Sequence, residues 1–187
     1  MAVRYIADLH FDYGDIIAYD DRPFDSVEMM NEAMIKAWNG AVSAGDETWI
    51  LGDLCSGDGT RWRELLSRLN GKKRLIIGNH DDPGAVKAAA DLFEETAEYK
   101  EIEDEGRHVV LCHYPIISFH NHYFGWYHLY GHVHTGYEHN VTENGKRLLR
   151  QLYVRDDVCR MANVGAMLPC MNYAPKTLDE LIKGGTI

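Results

Sequence analysis

Residues 74–81 read RLIIGNHD, a short apolar run that passes directly into a glycine, an amide, an imidazole and a carboxylate. A chain that leaves a buried strand sharply beside a ligand needs backbone freedom first and donor side chains next, and Gly78 followed by Asn79, His80 and Asp81 provides both. The same arrangement recurs in both directions along the chain. Residues 3–7 lead into Asp8 and His10, 48–51 into Gly52 and Asp53, 108–112 into His113, and 127–130 into Gly131, His132 and His134. Each run has the length and apolar content of a buried strand. In α/β sheets the functional crevice lies beyond the carboxyl ends of the strands, so residues as distant in sequence as Asp8 and His134 can meet there.

Helical patterns fill the gaps. Val27, Met30, Met34, Trp38 and Ala41 recur at helical spacing, with Asp25 placed to cap the helix, Glu28 three residues on, and Gly45 as the stop. Residues 61–69 predict a second helix ending at Asn70-Gly71, and 85–93 a third. Alternating strands and helices give the α/β class. The second half reads as richer in strands, with 146–155 and 159–164 as further strands and a short Thr177-capped helix at 178–182. A purely parallel sheet is therefore not expected. Nothing reads as a linker or an internal repeat, so residues 1–187 are expected to form one domain.

With 45% hydrophobic and 26% charged residues, the chain is neither a fibre nor a disordered tail. Acidic residues outnumber basic ones 29 to 19, and the formal charge of -10 argues against binding of long nucleic acids. No run approaches the roughly 18 apolar residues of a membrane span, and the N-terminus lacks the apolar core of a signal peptide. A soluble, cytoplasmic protein with no membrane partner is the expectation. Four cysteines without CxxC spacing predict free thiols. Ten histidines in an acidic chain direct attention to metal.

The residues at the strand ends make a coherent donor set: Asp8, His10, Asp53, Asn79, His113, His132 and His134. These are too many ligands for one ion, and mixed imidazole and carboxylate donors without thiolate suit Mn, Fe or Zn better than Ca or Mg. One carboxylate bridging two ions would divide the set into two shells, the arrangement used for in-line displacement at phosphorus.

In order, DLH, GDL, GNHD, H and GHVH resemble the five signature motifs of the calcineurin-like metallophosphoesterases. Asp15-Ile16-Ile17, Arg22-Pro23-Phe24, Asn163-Val164-Gly165 and Asn172-Tyr173 with Pro175 further resemble a small bacterial and phage subgroup of predicted phosphoesterases. The resemblance implies a four-layer α/β/β/α sandwich of two mixed β-sheets. It implies that Asp8, His10 and His134 hold a first metal, Asn79, His113 and His132 a second, and that Asp53 bridges them. The implied cofactors are two divalent transition metal ions (Mn, Fe, Zn or Ni), with Mn favoured. The implied reaction is hydrolysis of a phosphomonoester or phosphodiester by in-line attack of a metal-bridging hydroxide. His80 would assist the leaving group, its ring oriented by a hydrogen bond to Asp81. Relatives often read FGH after DLH, whereas this chain has Phe11-Asp12-Tyr13, so a different local substrate contact is expected there.

Arg22 is a candidate phosphate contact, because a guanidinium fork matches phosphate geometry. His120 and His122 are expected at the pocket mouth, in a loop that also holds Tyr114, Phe119, Tyr123, Phe124 and Trp126, aromatic enough to stack a base. His120-Asn121-His122 alone does not make an HNH nuclease. A chain this short leaves little room for a separate specificity element, so a small phosphoester or nucleotide is the expected substrate. A catalytically weak metal-binding scaffold acting as an interaction protein, and a nuclease or protein phosphatase of the same superfamily, are the alternatives.

Overall fold

The computed structural model describes residues 1–185 and 187. Its first half alternates as the apolar periodicity requires: β1 (Val3–Ile6), α1 (Asp15–Tyr19), α2 (Val27–Ala41), β2 (Glu47–Leu51), α3 (Gly59–Arg68), β3 (Lys72–Ile76), α4 (Pro83–Ala88) and β4 (Glu95–Ala97). The second half follows as β5 (Tyr99–Asp104), β6 (Arg107–Cys112), β7 (Tyr127–Tyr130), α5 (Tyr137–Tyr153), β8 (Arg160–Asn163) and α6 (Leu178–Lys183). β1 to β4 form one sheet in sequence order, every neighbouring pair parallel. β5 to β8 form the second, in which β5 runs antiparallel to β6 and the remaining pairs are parallel.

The two sheets share one apolar interior and, with the helices outside them, make the expected α/β/β/α sandwich. Ile6, Ile50 and Leu75 from the first sheet are in the same buried cluster as Leu111, Leu129 and Ala162 from the second. Met30, Met34 and Trp38 of α2 and Trp62, Leu65 and Leu66 of α3 belong to it too. Each large apolar side chain so buried contributes about 1.5–3 kcal/mol. Backbone bonds tie the sheets where the site lies. Ala7 donates its N–H to the Val164 carbonyl at 2.9 Å, and Ala166 donates to the Ala7 carbonyl at 2.8 Å. This seam brings the end of β1 against the end of β8.

Several element boundaries differ from expectation. Ser26, not Asp25, caps α2: its backbone is extended and its hydroxyl accepts the Met29 N–H. The helix expected over 85–93 starts earlier and stops at Ala88, because Asp82 caps it, Pro83 opens it and the chain then tightens into a 3-10 turn at Ala90–Leu92. β4 has three residues, and β5 reads YKEIED, so neither shows as an apolar run. The largest correction concerns 146–155, expected as a strand: residues 146–153 are the second half of α5, and Val154 caps it in the left-handed conformation. Gly145 stays helical because the body of the protein packs against it, a Cβ there lying only 2.2 Å from Ile117 Cδ1. Among the described residues no helix is long and apolar enough to cross a membrane.

Candidate metal centre

The strand ends converge. Asp8, His10, Asp53 and His134 are buried, and one donor atom from each lies within 4.8 Å of the others. Asn79 Oδ1 lies 2.9 Å from His113 Nε2 and 2.9 Å from His132 Nδ1, forming a second group. Asp53 stands between them: its Oδ2 is 3.6 Å from His10 Nε2 and 3.5 Å from His113 Nε2. Its other oxygen accepts the His80 N–H at 2.9 Å, which fixes the carboxylate and leaves Oδ2 facing both groups.

Local backbone shape achieves this at a cost. Asp8, His10, Asp53, His132 and His134 all have positive φ, between 44° and 70°. Non-glycine residues reach this left-handed region at a cost of order 1–3 kcal/mol each when the conformation is unfavourable, and such residues gather at functional sites. Close approach accounts for two glycines. A Cβ at Gly78 would lie 2.3 Å from Asp53 Oδ1, and one at Gly131 would lie 2.7 Å from Asp8 Oδ2.

The hydrogen bonds around the rings decide what the cluster can hold. The Nδ1–H of His113 donates to the Leu51 carbonyl at 2.8 Å, so a neutral ring turns its Nε2 lone pair toward Asn79 Oδ1 and Asp53 Oδ2. His134 donates Nδ1–H to Asp20 at 2.7 Å and turns Nε2 toward His10 Nε2, 3.3 Å away. Lone pairs facing one another at these distances repel unless a proton or a cation lies among them. Burial and the adjacent His134 hold His10 well below the ordinary imidazole range, whereas burial pushes Asp8 up to about 6. Burial also acts to lower His134, but the Asp20 hydrogen bond and the nearby carboxylates outweigh it and its pKa rises. Burial followed by His113 lowers His132. Divalent cations suit donors of this kind, carboxylates and imidazole lone pairs brought face to face.

Other residues fall differently. Arg22 does not face the pocket: its guanidinium is fully buried, donating to the carbonyls of Asp8 and Leu9 at 2.9 Å each and to Asp20. Its phosphate-contact assignment is corrected to that of a brace under the Asp8 turn. His120 is exposed and pairs with Glu101 at 3.0 Å, and His122 is buried with its Nδ1 against the Phe119 carbonyl. Neither lines the pocket mouth, because their loop folds onto β5 and a second apolar cluster around Phe119. Of that loop's aromatics, Tyr114 approaches the donors, 4.6 Å from the His132 ring. Asp81 does not reach the His80 ring. Its carboxylate accepts the N–H groups of Gly78, Asp53 and Leu54 at 2.8, 3.1 and 2.8 Å, joining the two donor-bearing loops.

An open pocket of about 270 Å³ lies over the donors, with His80, Tyr13, Ile16, Tyr19 and Glu138 completing its lining. Tyr13 is the residue at which the chain departs from the FGH pattern, and its ring stacks with that of His80 at 6.5 Å. Asp20 is the principal residue that the motifs did not single out. Its side chain is 1% exposed and bonds both His134 and Arg22, and its signal in the sequence is only its position two residues before Arg22.

Comparison with known proteins places these features in context. The calcineurin-like phosphoesterase family model matches residues 1–165. An uncharacterized protein of Methanocaldococcus jannaschii, MJ1445, is 32% identical over 184 residues, covering 97% of this chain and 89% of its own. The Gene 66 protein of Mycobacterium phage L5 is 31% identical over 134 residues, covering 62% of this chain and 64% of its own. Among solved structures, the protein of unknown function AQ665 from Aquifex aeolicus shares the fold, with a TM-score of 0.70 at 21% identity over 97% of this chain and 98% of that one.

Proposed function

Because the chain belongs to the calcineurin-like phosphoesterase family, we propose that it hydrolyses a small phosphoester with two divalent metal ions held at the strand ends. Asp8, His10 and His134 would hold one ion and Asn79, His113 and His132 the other, with Asp53 between the two groups. The observation that carries this reading is the position of Asp53 Oδ2, almost equidistant from His10 Nε2 and His113 Nε2 while Oδ1 is tied to the His80 N–H. When bound, the ions supply Lewis acidity that polarises a phosphoryl group and lowers the pKa of water. Borderline first-row ions suit the imidazole-rich donors, and Mn is favoured among Mn, Fe, Zn and Ni.

The chain's own residues do the rest. His80 is exposed at the pocket floor, its backbone fixed through Asp53 and its ring 5.4 Å from that of His10. From there its imidazole can donate a proton or hydrogen bond to the departing oxygen. Asp81 holds the loops carrying Asp53 and Asn79 in register. Tyr13, Ile16 and Tyr19 make one apolar wall against which the leaving group is packed, and the modest pocket favours a compact ester or nucleotide over a polymer.

The test is a panel of aryl phosphomonoesters, aryl phosphodiesters and nucleotides, assayed with Mn, Ni, Fe and Zn beside elemental analysis. Turnover that is lost in Asp53→Asn supports the proposal. His80→Ala should lower kcat while keeping its metal. Stoichiometric metal without turnover on any substrate would overturn it in favour of a metal-loaded scaffold.

A further inference from the structure

A phosphomonoester and a phosphodiester differ in one place. Above its second pKa of about 6 the monoester carries a second negative charge, on an oxygen that in the diester is bonded to carbon. The walls around the donors therefore have to meet different demands: a further cation for the monoester, an apolar contact for the diester.

The pocket over the donors meets the second demand. Among the described residues its lining holds no lysine or arginine, and its one carboxylate outside the donor set is that of Glu138. Glu138 stands in the first turn of α5, where the positive end of the helix would otherwise favour an added negative charge. Its carboxylate is 3.6 Å from His132 Nε2 and has no lysine or arginine partner among the described residues. Two divalent ions would bring four positive charges, of which Asp8 and Asp53 balance two and Glu138 a third. About one is left for the substrate, which matches the single charge of a diester.

Aromatic rings stand beside both donor groups. Tyr13 is 5.9 Å from the His10 ring and 6.5 Å from that of His80, and Tyr19 lies edge-on to His134 at 5.6 Å. Tyr114, half-exposed, is 4.6 Å from the His132 ring and 5.1 Å from that of His113. Two organic groups on one phosphorus can each meet an aromatic ring, whereas a monoester has only one to offer.

Resting on the phosphoesterase reading above, we propose that the site selects phosphodiesters with a single negative charge and compact organic groups, and that Glu138 sets this preference by repelling the second charge of a monoester. One extra charge beside an exposed carboxylate corresponds to about a two- to fivefold change in affinity.

The test compares p-nitrophenyl phosphate, its methyl ester and bis(p-nitrophenyl) phosphate, which release the same leaving group, on the full chain supplied with Mn. Both diesters should give the higher kcat/KM, and Glu138→Gln should narrow their lead over the monoester about two- to fivefold with metal content unchanged. A monoester turned over as well as the diesters would overturn the preference. An unchanged ratio in Glu138→Gln, or loss of metal from it, would overturn the role of Glu138. Metal bound without turnover of any of the three would instead be a failure of the phosphoesterase reading, and binding separates the two. In calorimetric titrations of the Mn-loaded protein at alkaline pH, methylphenylphosphinate, with one charge and no ester bond, should bind more tightly than the dianion phenylphosphonate. Tighter binding of phenylphosphonate would overturn the preference whether or not turnover is seen.

Discussion

Replacing Asp81 by Asn separates two accounts of the GNHD segment. If Asp81 served to orient the His80 ring, the variant would behave as a weaker His80→Ala, with lowered turnover, unchanged stability, and effects of the two substitutions that fail to add. The structure assigns it a different task. One carboxylate oxygen accepts the Leu54 N–H, and the other accepts those of Asp53 and Gly78, all from a side chain that is almost wholly buried. An amide keeps one acceptor and presents an NH2 where the other stood, so one or two of these three bonds are lost. Hydrogen bonds to a charged group contribute about 1.5–3 kcal/mol each, which puts the expected loss at about 2–5 kcal/mol. In a chain of this size that corresponds to a fall in Tm of roughly 5–15 °C. Metal affinity should fall as well, because Asp53 and Asn79 ride on the loops that come apart. Thermal and urea unfolding of Asp81→Asn, His80→Ala and the double variant, with metal titrations on each, measure all of this. Wild-type stability in Asp81→Asn, together with kinetic effects that merge with those of His80→Ala, would refute the loop-joining role.

Two further outcomes are expected. His128 is fully buried in β7, with Nδ1–H donating to the Val110 carbonyl and Nε2 accepting the Ile116 N–H, and burial pushes its pKa down to about 4. The folded state thus refuses a proton that the unfolded chain accepts near pH 6.5, so this residue's contribution is complete above that pH and falls by about 3 kcal/mol as pH drops to about 4. Urea unfolding at pH 7 and pH 4.5 should show that slope, and His128→Gln should flatten it; an equal slope in both would refute the assignment. Asp20→Asn should weaken metal binding 10- to 100-fold by releasing the His134 ring, as loss of a carboxylate behind a metal-facing histidine does elsewhere. Calorimetric titration with Mn reads this directly, and an unchanged affinity would remove Asp20 from the site.

What the sequence disclosed follows from which interactions are local. Strand ends and their donors were legible because an apolar run followed by Gly and a ligand is a statement about neighbouring residues, and Gly78 and Gly131 stand where a Cβ would strike Asp53 and Asp8. Arg22 misled for the opposite reason. A guanidinium beside Pro23 looks the same whether it meets a phosphate or, as here, the carbonyls of Asp8 and Leu9, and only the tertiary fold distinguishes them. Asp20 was invisible because its partner His134 is distant in sequence. Residues 146–155 were misread because Gly145 looked like a break before an apolar run, although Leu, Arg and Gln within that run are good helix formers; the helix continues through Gly145, which fits against Ile117, a contact that composition does not record.

The charge of the chain bears on its proposed chemistry in a way that composition alone inverts. A formal charge of -10 repels a phosphoester, and among the described residues the pocket lining includes Asp53 and Glu138 but no lysine or arginine. The guanidinium of Arg22, which braces the Asp8 turn, is already committed to Asp20 and to two backbone carbonyls. Attraction for a phosphoryl group must then come from cations held by the donor set, and two divalent ions would bring the formal charge from -10 to about -6 with the whole change concentrated in one cleft. Left-handed φ values occur at five of the donors, and a network of Asp20, Arg22 and Asp81 stands behind them. Preorganised donors do not have to be ordered on binding, so on the proposed chemistry ion affinity, and with it affinity for a phosphoester, would depend on residues such as Asp20 and Asp81 that need not touch substrate.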